Sequence, residues 1–217
     1  MNIDRPAVRI YQTVAYRVLR VAVRVIAICL CDYRVAGSRR LPPSGPVMLL
    51  SNHQSTLDPM LLGMLFNRPL QFLAKKSLFD QRLSRFLMET YNALPIDRER
   101  GGLEGMRTII ARLKAGYVVV LFPEGTRARE GGLLPIKGGF VSVARRSRAT
   151  IVPVALVGAN EVMTRKGILP KRRRIAAAVG PQLTPDEYSS WSDEQLVRWA
   201  AEELRECWDT AAQLRRQ

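Results

Sequence analysis

Short apolar runs alternate with segments of helical periodicity along most of this chain, and this alternation restricts the folds that it can adopt. We interpret the apolar runs as strands, at 46–51, 71–74, 93–96, 117–122, 151–157 and 174–179. The segments between them are predicted helices, at 59–66, 77–89, 101–115 and 138–147. Strands that alternate with helices are typical of an α/β domain, in which helices pack against a central sheet.

The end of the chain predicts one more helix, beginning at Ser192. Gln195 completes a capping box with this serine. One face of the helix then carries Leu196, Ala200, Leu204, Trp208 and Ala211. The chain has 217 residues without an internal repeat or a low-complexity linker, which favours one domain at 32–217 preceded by a separate segment at 1–31.

The charge is strongly positive. Lys and Arg total 34 against 19 Asp and Glu, which gives a formal net charge of +15. Such a balance indicates a polyanionic partner, which can be nucleic acid, an anionic membrane surface or a phosphorylated substrate. A nucleic-acid-binding protein is the alternative from another functional class, but aromatic residues make up only 7%, and neither an RNA-binding signature nor a helix-turn-helix is present. We therefore predict no nucleic-acid partner.

Cysteine and histidine are too few for a metal centre or a disulfide framework. The three cysteines, Cys29, Cys31 and Cys207, form no Cys-x-x-Cys pair, and His53 is the only histidine. We predict no metal site and a reducing, cytoplasmic environment.

The first 31 residues combine aliphatic side chains with regularly spaced arginines. The longest uncharged stretches, 10–16 and 25–31, are shorter than the roughly 20 residues that span a bilayer, and no signal-peptide pattern is present. On a helical wheel five arginines fall within an arc of about 120°: Arg5, Arg9, Arg17, Arg20 and Arg24. The opposite face is aliphatic. This pattern predicts an amphipathic helix that lies in the membrane interface, although a helix packed on its own domain with a solvated arginine face would share it.

The single histidine lies in the polar stretch 51–58, between two apolar runs. His53 and Asp58 are five residues apart, so in a continuous helix their side chains would point about 140° away from each other. An irregular turn, followed by a helix that starts at Asp58-Pro59, could bring them together. A carboxylate on one ring nitrogen leaves the other free to act as a general base. The alternative is a helix-capping aspartate beside a surface histidine.

A second polar stretch follows the strand predicted at 117–122. Its sequence is Phe-Pro-Glu-Gly-Thr-Arg, residues 122–127. Ligands of α/β proteins bind at such strand ends, and here a glycine, a hydroxyl and two opposite charges are available. A plain turn with an exposed ion pair is the alternative.

Together these motifs resemble the signature of the glycerolipid acyltransferases, the family that includes 1-acylglycerol-3-phosphate acyltransferase. That signature is Asn-His-x4-Asp, found here from Asn52 to Asp58, followed by Phe-Pro-Glu-Gly-Thr-Arg without a mismatch. Softer family blocks are matched in order by LPIDR at 94–98, PIKGGF at 135–140 and IVPVAL at 151–156. The resemblance covers roughly residues 33–180 and implies a central mixed β-sheet flanked by helices, as in glycerol-3-phosphate acyltransferase.

The resemblance also implies roles for individual residues. His53 would be the general base that deprotonates an acceptor hydroxyl, and Asp58 would orient it. Six residues would bind the substrate: Arg98, Glu124, Gly125, Thr126, Arg127 and Lys137. The arginines suit a phosphate group, because their forked donors match its oxygens.

The implied reaction is transfer of a fatty acyl group to the sn-2 hydroxyl of 1-acylglycerol 3-phosphate, which gives phosphatidic acid. The acyl donor would be acyl-CoA or acyl-carrier protein, and no cofactor is needed. Lyso-ornithine lipid or another lysophospholipid stays open as the acceptor. The arginine-interrupted segment at 1–31 favours peripheral or monotopic attachment at the cytoplasmic face of the inner membrane, since some family members instead have transmembrane helices.

Overall fold

The computed structural model describes residues 14, 18, 21, 25, 32–37, 41–96, 102–128, 130–162 and 173–217. The helix predicted at 1–31 lies almost wholly outside these residues. Its four described positions, Val14, Val18, Val21 and Val25, are helical and 52–64% exposed. Within the described part of the chain, no helix combines the length and hydrophobicity that crossing a bilayer requires.

In the described part of the chain, seven strands form one sheet. They are β1 (Tyr33–Gly37), β2 (Val47–Ser51), β3 (Leu70–Lys75), β4 (Ala93–Ile96), β5 (Val118–Leu121), β6 (Thr150–Val157) and β7 (Ile175–Val179). The spatial order is β1-β7-β6-β2-β5-β3-β4. Only the β6–β7 pair is antiparallel, so five strands run one way and two the other. The mixed sheet and all six predicted strands are confirmed, whereas the edge strand β1 was not predicted.

The described helices cover both faces of the sheet. They are α1 (Asp58–Leu65), α2 (Arg82–Thr90), α3 (Gly102–Lys114), α4 (Gly139–Ser147), α5 (Ala159–Val162), α6 (Pro185–Tyr188) and α7 (Asp193–Arg216), with a 3-10 helix at Lys76–Phe79. The single helix predicted at 77–89 is wrong, because Gln81 is extended and separates the 3-10 helix from α2. The capping box of Ser192 and Gln195 is present at the start of α7.

The central strand β2 explains why the sheet needs helices on both sides. All five of its residues are buried, and because side chains alternate along a strand, each face of the sheet receives part of them. Val47 and Leu49 pack with α1, whereas Met48 and Leu50 pack with α3, α4 and α7.

Strand register brings the two polar motifs to one edge of the sheet. β2 and β5 are parallel neighbours, and Leu50 lies opposite Leu121 at their ends. The chain segments that follow these residues, from Ser51 and from Phe122, therefore leave the sheet side by side.

Candidate active site

His53 and Asp58 are in direct contact. Nδ1 of His53 lies 2.7 Å from Oδ2 of Asp58. Residues 52–57 form neither helix nor strand, and α1 begins at Asp58 with Pro59 in its first turn. The irregular turn that the sequence predicted therefore exists, and it carries the carboxylate back to the imidazole.

Asp58 is held by two further hydrogen bonds. The backbone N–H groups of Gln54 and Ser55 donate to its Oδ2 over 2.6 and 2.8 Å. The side chain is fully buried. Three donors on one oxygen fix the position of the carboxylate, because hydrogen bonds to an ionised acceptor are short and strong.

This arrangement assigns the proton on the imidazole. An ionised carboxylate only accepts hydrogen bonds, so Nδ1 of His53 donates, and in the neutral ring Nε2 then carries the lone pair. The His53 side chain is 21% exposed, which leaves part of the ring open to a ligand. The pair can thus take a proton from a bound hydroxyl through Nε2.

Asn52 anchors the residue before the histidine. Its Nδ2 donates to the carbonyl of Leu156 over 2.9 Å, and its Oδ1 accepts from the Leu156 N–H over 2.8 Å. Backbone pairing between β2 and β6 ends at Ser51, so the buried Asn52 amide continues that pairing with its side chain. It holds the start of the turn against the sheet.

The segment after β5 holds His53 from the other side. The Ala128 N–H donates to the carbonyl of His53 over 2.7 Å. The Phe122 ring stacks on the imidazole, with centroids 4.0 Å apart. The backbone and one ring face of His53 are thereby fixed by residues about 70 positions later in the chain.

Glu124 is buried, and its carboxylate contacts the backbone N–H groups of two other segments. It is 3% exposed, and its two oxygens accept from the N–H groups of His53 and Leu134 over 3.4 and 3.3 Å. Burial raises the pKa of this carboxyl and the charge of Asp58 adds to the rise, while the two N–H groups oppose it. These contacts join the turn at 52–58, which carries His53, to the loop around residue 134. The predicted contact of Glu124 with substrate stays a prediction.

The other predicted substrate-binding residues lie at the surface beside this loop. Gly125, Thr126, Arg127 and Lys137 are exposed. Gly125 has a φ of +74°, a backbone conformation that favours glycine. Nζ of Lys137 lies over it, 3.1 Å from where a Cβ would be. No described residue pairs with the Arg127 or Lys137 side chains. Arg98 lies outside the described residues, and its role stays a prediction.

The sequence reasoning assigned no role to Asn52 or Phe122, although both belong to the quoted motifs. The sequence offered a signal for each. Asn52 is a polar amide directly after an apolar strand, and Phe122 is an aromatic residue at the end of the neighbouring strand. In the described part of the chain, no group of three or more His, Cys, Asp or Glu side chains could hold a metal ion.

A comparison with known families matches the part of the chain that carries both motifs. The acyltransferase family model matches residues 32–157, which include both motifs. The chain belongs to the acyltransferase family. Strands β1 to β6 of this acyltransferase, with the turn at 52–58 and the loop at 122–128, lie within the match.

Several curated proteins are similar to this acyltransferase. It is 31% identical over 144 residues to a 1-acyl-sn-glycerol-3-phosphate acyltransferase of Bacillus subtilis, covering 66% of this chain and 71% of that protein. It is 32% identical over 173 residues to the human 1-acyl-sn-glycerol-3-phosphate acyltransferase alpha, covering 73% and 59%.

One solved structure shares the whole fold. The crystal structure of the 1-acyl-sn-glycerophosphate acyltransferase PlsC from Thermotoga maritima superposes with a TM-score of 0.76. The match covers 100% of this chain and 86% of that chain at 20% identity. It establishes the architecture.

Proposed function

We propose that this acyltransferase esterifies the sn-2 hydroxyl of 1-acyl-sn-glycerol 3-phosphate with a fatty acyl group, which gives phosphatidic acid. The observation that carries the proposal is the 2.7 Å contact between His53 Nδ1 and the buried Asp58. The relatives named as 1-acyl-sn-glycerol-3-phosphate acyltransferases support this choice of acceptor.

In the proposed reaction His53 Nε2 accepts the proton of the acceptor hydroxyl. The hydroxyl oxygen attacks the carbonyl carbon of the acyl thioester, the C–S bond breaks, and the thiolate takes the proton back from the imidazolium. The products are an ester and a free thiol. Asp58 stabilises the imidazolium while it exists, and the Phe122 ring lies against it. The donor is acyl-CoA or acyl-carrier protein.

The acceptor phosphate would lie at the exposed cations beside the catalytic turn. Arg127 follows Glu124 by three residues, and Nζ of Lys137 lies over Gly125. Because Glu124 fixes the His53 backbone, the cation-bearing loop and the base are held by one connected set of contacts. Arg98 would add a third cation, as the family resemblance implies.

Peripheral attachment at the cytoplasmic membrane surface completes the proposal. The lysolipid acceptor resides in a bilayer, and helices with one apolar face lie in the interface. The four exposed valines between Val14 and Val25 recur at helical spacing. They supply an apolar stripe of the kind that such a helix buries in lipid.

A panel of acceptors tests the function directly. Purified full-length protein is given labelled acyl-CoA and, in separate reactions, 1-acylglycerol 3-phosphate, lysophosphatidylcholine, lyso-ornithine lipid and monoacylglycerol. We expect the fastest turnover with 1-acylglycerol 3-phosphate and none above background in His53→Ala. Faster acylation of lyso-ornithine lipid than of 1-acylglycerol 3-phosphate would contradict the proposed acceptor, and so would equal rates with 1-acylglycerol 3-phosphate and monoacylglycerol. Either result would leave the His53 mechanism standing.

A further inference from the structure

The surface formed by the 3-10 helix and α2 exposes two large apolar side chains. Leu78 is 43% exposed and Phe86 is 46% exposed. On a helix, Phe86 shares its face with Arg82, four residues earlier, and Arg85 is its neighbour in sequence. The outer face of α2 therefore mixes an aromatic ring with cations.

Cations outnumber acids on this surface. Lys75, Lys76, Arg82 and Arg85 are exposed, against the exposed acids Asp80 and Glu89. Arg85 Nε donates to the carbonyl of Phe79 over 2.6 Å, which joins α2 to the 3-10 helix. No described residue pairs with the side chains of Lys75, Lys76 or Arg82, so their charge is available to an external anion. We call the exposed residues Lys75, Lys76, Leu78, Arg82, Arg85 and Phe86 the α2 rim.

Strand register places the start of the α2 rim, at Lys75 and Lys76, at the edge of the sheet that carries His53. Leu70 of β3 and Val47 of β2 both lie opposite Val118, and both strands run parallel to β5. That register puts Ala74, one residue before the end of β3, level with Ser51, the last residue of β2. The ends of the two strands, with β5 between them, are two strand spacings apart, which is about 10 Å.

We propose that the α2 rim is a docking surface for an anionic lipid bilayer, on which it presents the His53 edge of the sheet to the lipid. Apolar side chains interleaved with cations are what the interface of such a bilayer binds: Leu78 and Phe86 enter the acyl boundary, and the cations contact phosphate head groups. The rim would act together with the apolar stripe formed by the four exposed valines between Val14 and Val25. The two surfaces are separate in sequence. The inference rests on the membrane attachment included in the proposed function and names a surface for it, and docking is measured without donor or acceptor, so its failure is distinct from a failure of the acyl-transfer proposal.

Two triple variants with the same change in charge test the electrostatic part. Lys75→Gln, Lys76→Gln and Arg82→Gln remove three cations from the rim. The matched control, Arg107→Gln, Lys114→Gln and Arg146→Gln, removes three exposed cations from α3 and α4. Binding of the full-length proteins to phosphatidylcholine vesicles, with and without phosphatidylglycerol, is measured by cosedimentation. We expect the rim variant to bind the anionic vesicles at least about tenfold more weakly, and the control to change less than about threefold.

A second comparison tests the apolar part. Leu78→Ser with Phe86→Ser should weaken binding to the same vesicles and make the remaining binding more sensitive to salt, because screening acts only on the charges. Leu103→Ser is the control, since Leu103 is 72% exposed on α3. It should bind as the unaltered protein does. Unchanged thermal unfolding midpoints would show that all variants are folded.

Three results would overturn the proposal. Equal losses in the two triple variants would mean that net charge, wherever it lies, governs binding. Full vesicle binding by both rim variants would exclude the rim as a docking surface. The rim variants could also keep vesicle binding but lose binding of duplex DNA or of an acidic carrier protein. That result would assign the rim to that other partner.

Discussion

The ring of Phe122 lies nearly parallel to the imidazole of His53, with an interplanar angle of 17° and a centroid separation of 4.0 Å. Stacked pairs of this kind contribute about 0.5–1.5 kcal/mol beyond burial, and an aromatic face also attracts a protonated ring. Phe122 therefore restrains the orientation of the imidazole.

Replacing Phe122 with leucine tests this restraint. Phe122→Leu keeps an apolar side chain but removes the stack, so we expect kcat to fall about three- to tenfold with KM little changed. Phe122→Tyr keeps the ring and should stay within about twofold. An equal loss in both variants would contradict a role for stacking.

Loss of the imidazole should be far more severe. His53→Ala removes the general base, which typically costs about 10²–10⁴-fold in rate. Asp58→Asn is also expected to be harmful, because an amide no longer fixes Nδ1–H as the donor. Initial rates of folded variants provide the measurement. A His53→Ala protein with more than about half of the normal rate would refute the mechanism.

Asn52→Ala should damage both stability and rate. It leaves the N–H and C=O of Leu156 unpaired in the interior, which costs about 1–3 kcal/mol and lowers Tm by about 2–12 °C. Because Asn52 precedes His53, kcat should also fall, by about tenfold.

Ser147→Ala is the matched control for Asn52→Ala. The Ser147 hydroxyl is buried and donates to Val143 within α4, away from the site. The Ser147→Ala substitution should lower Tm without lowering kcat. If Asn52→Ala behaved in the same way, Asn52 would be structural only.

The buried carboxyl of Glu124 should make stability depend on pH. Its pKa lies above the ordinary value of 4.5 in the folded protein, so in the window just above 4.5 the folded state binds more protons than the unfolded chain. The free energy of unfolding therefore decreases as pH rises through this window. Denaturation at several pH values, with Glu124→Gln as the comparison, measures the effect. The free energy of unfolding of the unaltered protein, relative to that of Glu124→Gln, should decrease as pH rises through this window. A difference that stays constant with pH would contradict the prediction.

The exposed valines should govern attachment through the N-terminal segment. Changing Val14, Val18, Val21 and Val25 to serine removes apolar area that the interface would bury, so the protein should move toward the soluble fraction of a membrane preparation. Leucine at the same positions preserves the apolar stripe and should keep the protein attached. Equal distribution of both variants would argue against a lipid contact by this stripe.

The sequence predicted the elements of this fold better than their arrangement. Six strands and the irregular turn at 52–58 were predictable because they depend on local patterns of apolar residues, proline and polar side chains. β1 was missed, since it is a half-buried edge strand with Arg34 inside it and lacks a strong apolar run. Strand order was not accessible, because pairing of β2 with β6 depends on contacts about 100 residues apart.

The candidate site was predictable only as far as its motifs. His53 and Asp58 were identified from their spacing and from the family resemblance. The orientation of Glu124 was not, because a glutamate at a strand end usually faces solvent, and only the tertiary structure shows that it meets the N–H groups of His53 and Leu134.

The hydrogen bonds between Asn52 and Leu156 have a consequence for protein synthesis. They join residues 104 positions apart, and both strands that flank β2 are translated after it. A nascent chain that has left the ribosome only as far as β5 carries His53 and Asp58 but lacks the strand that holds their turn. We therefore expect acyl transfer to begin only after β6 has been translated and has inserted beside β2, and products truncated before β6 to carry the motif without the activity.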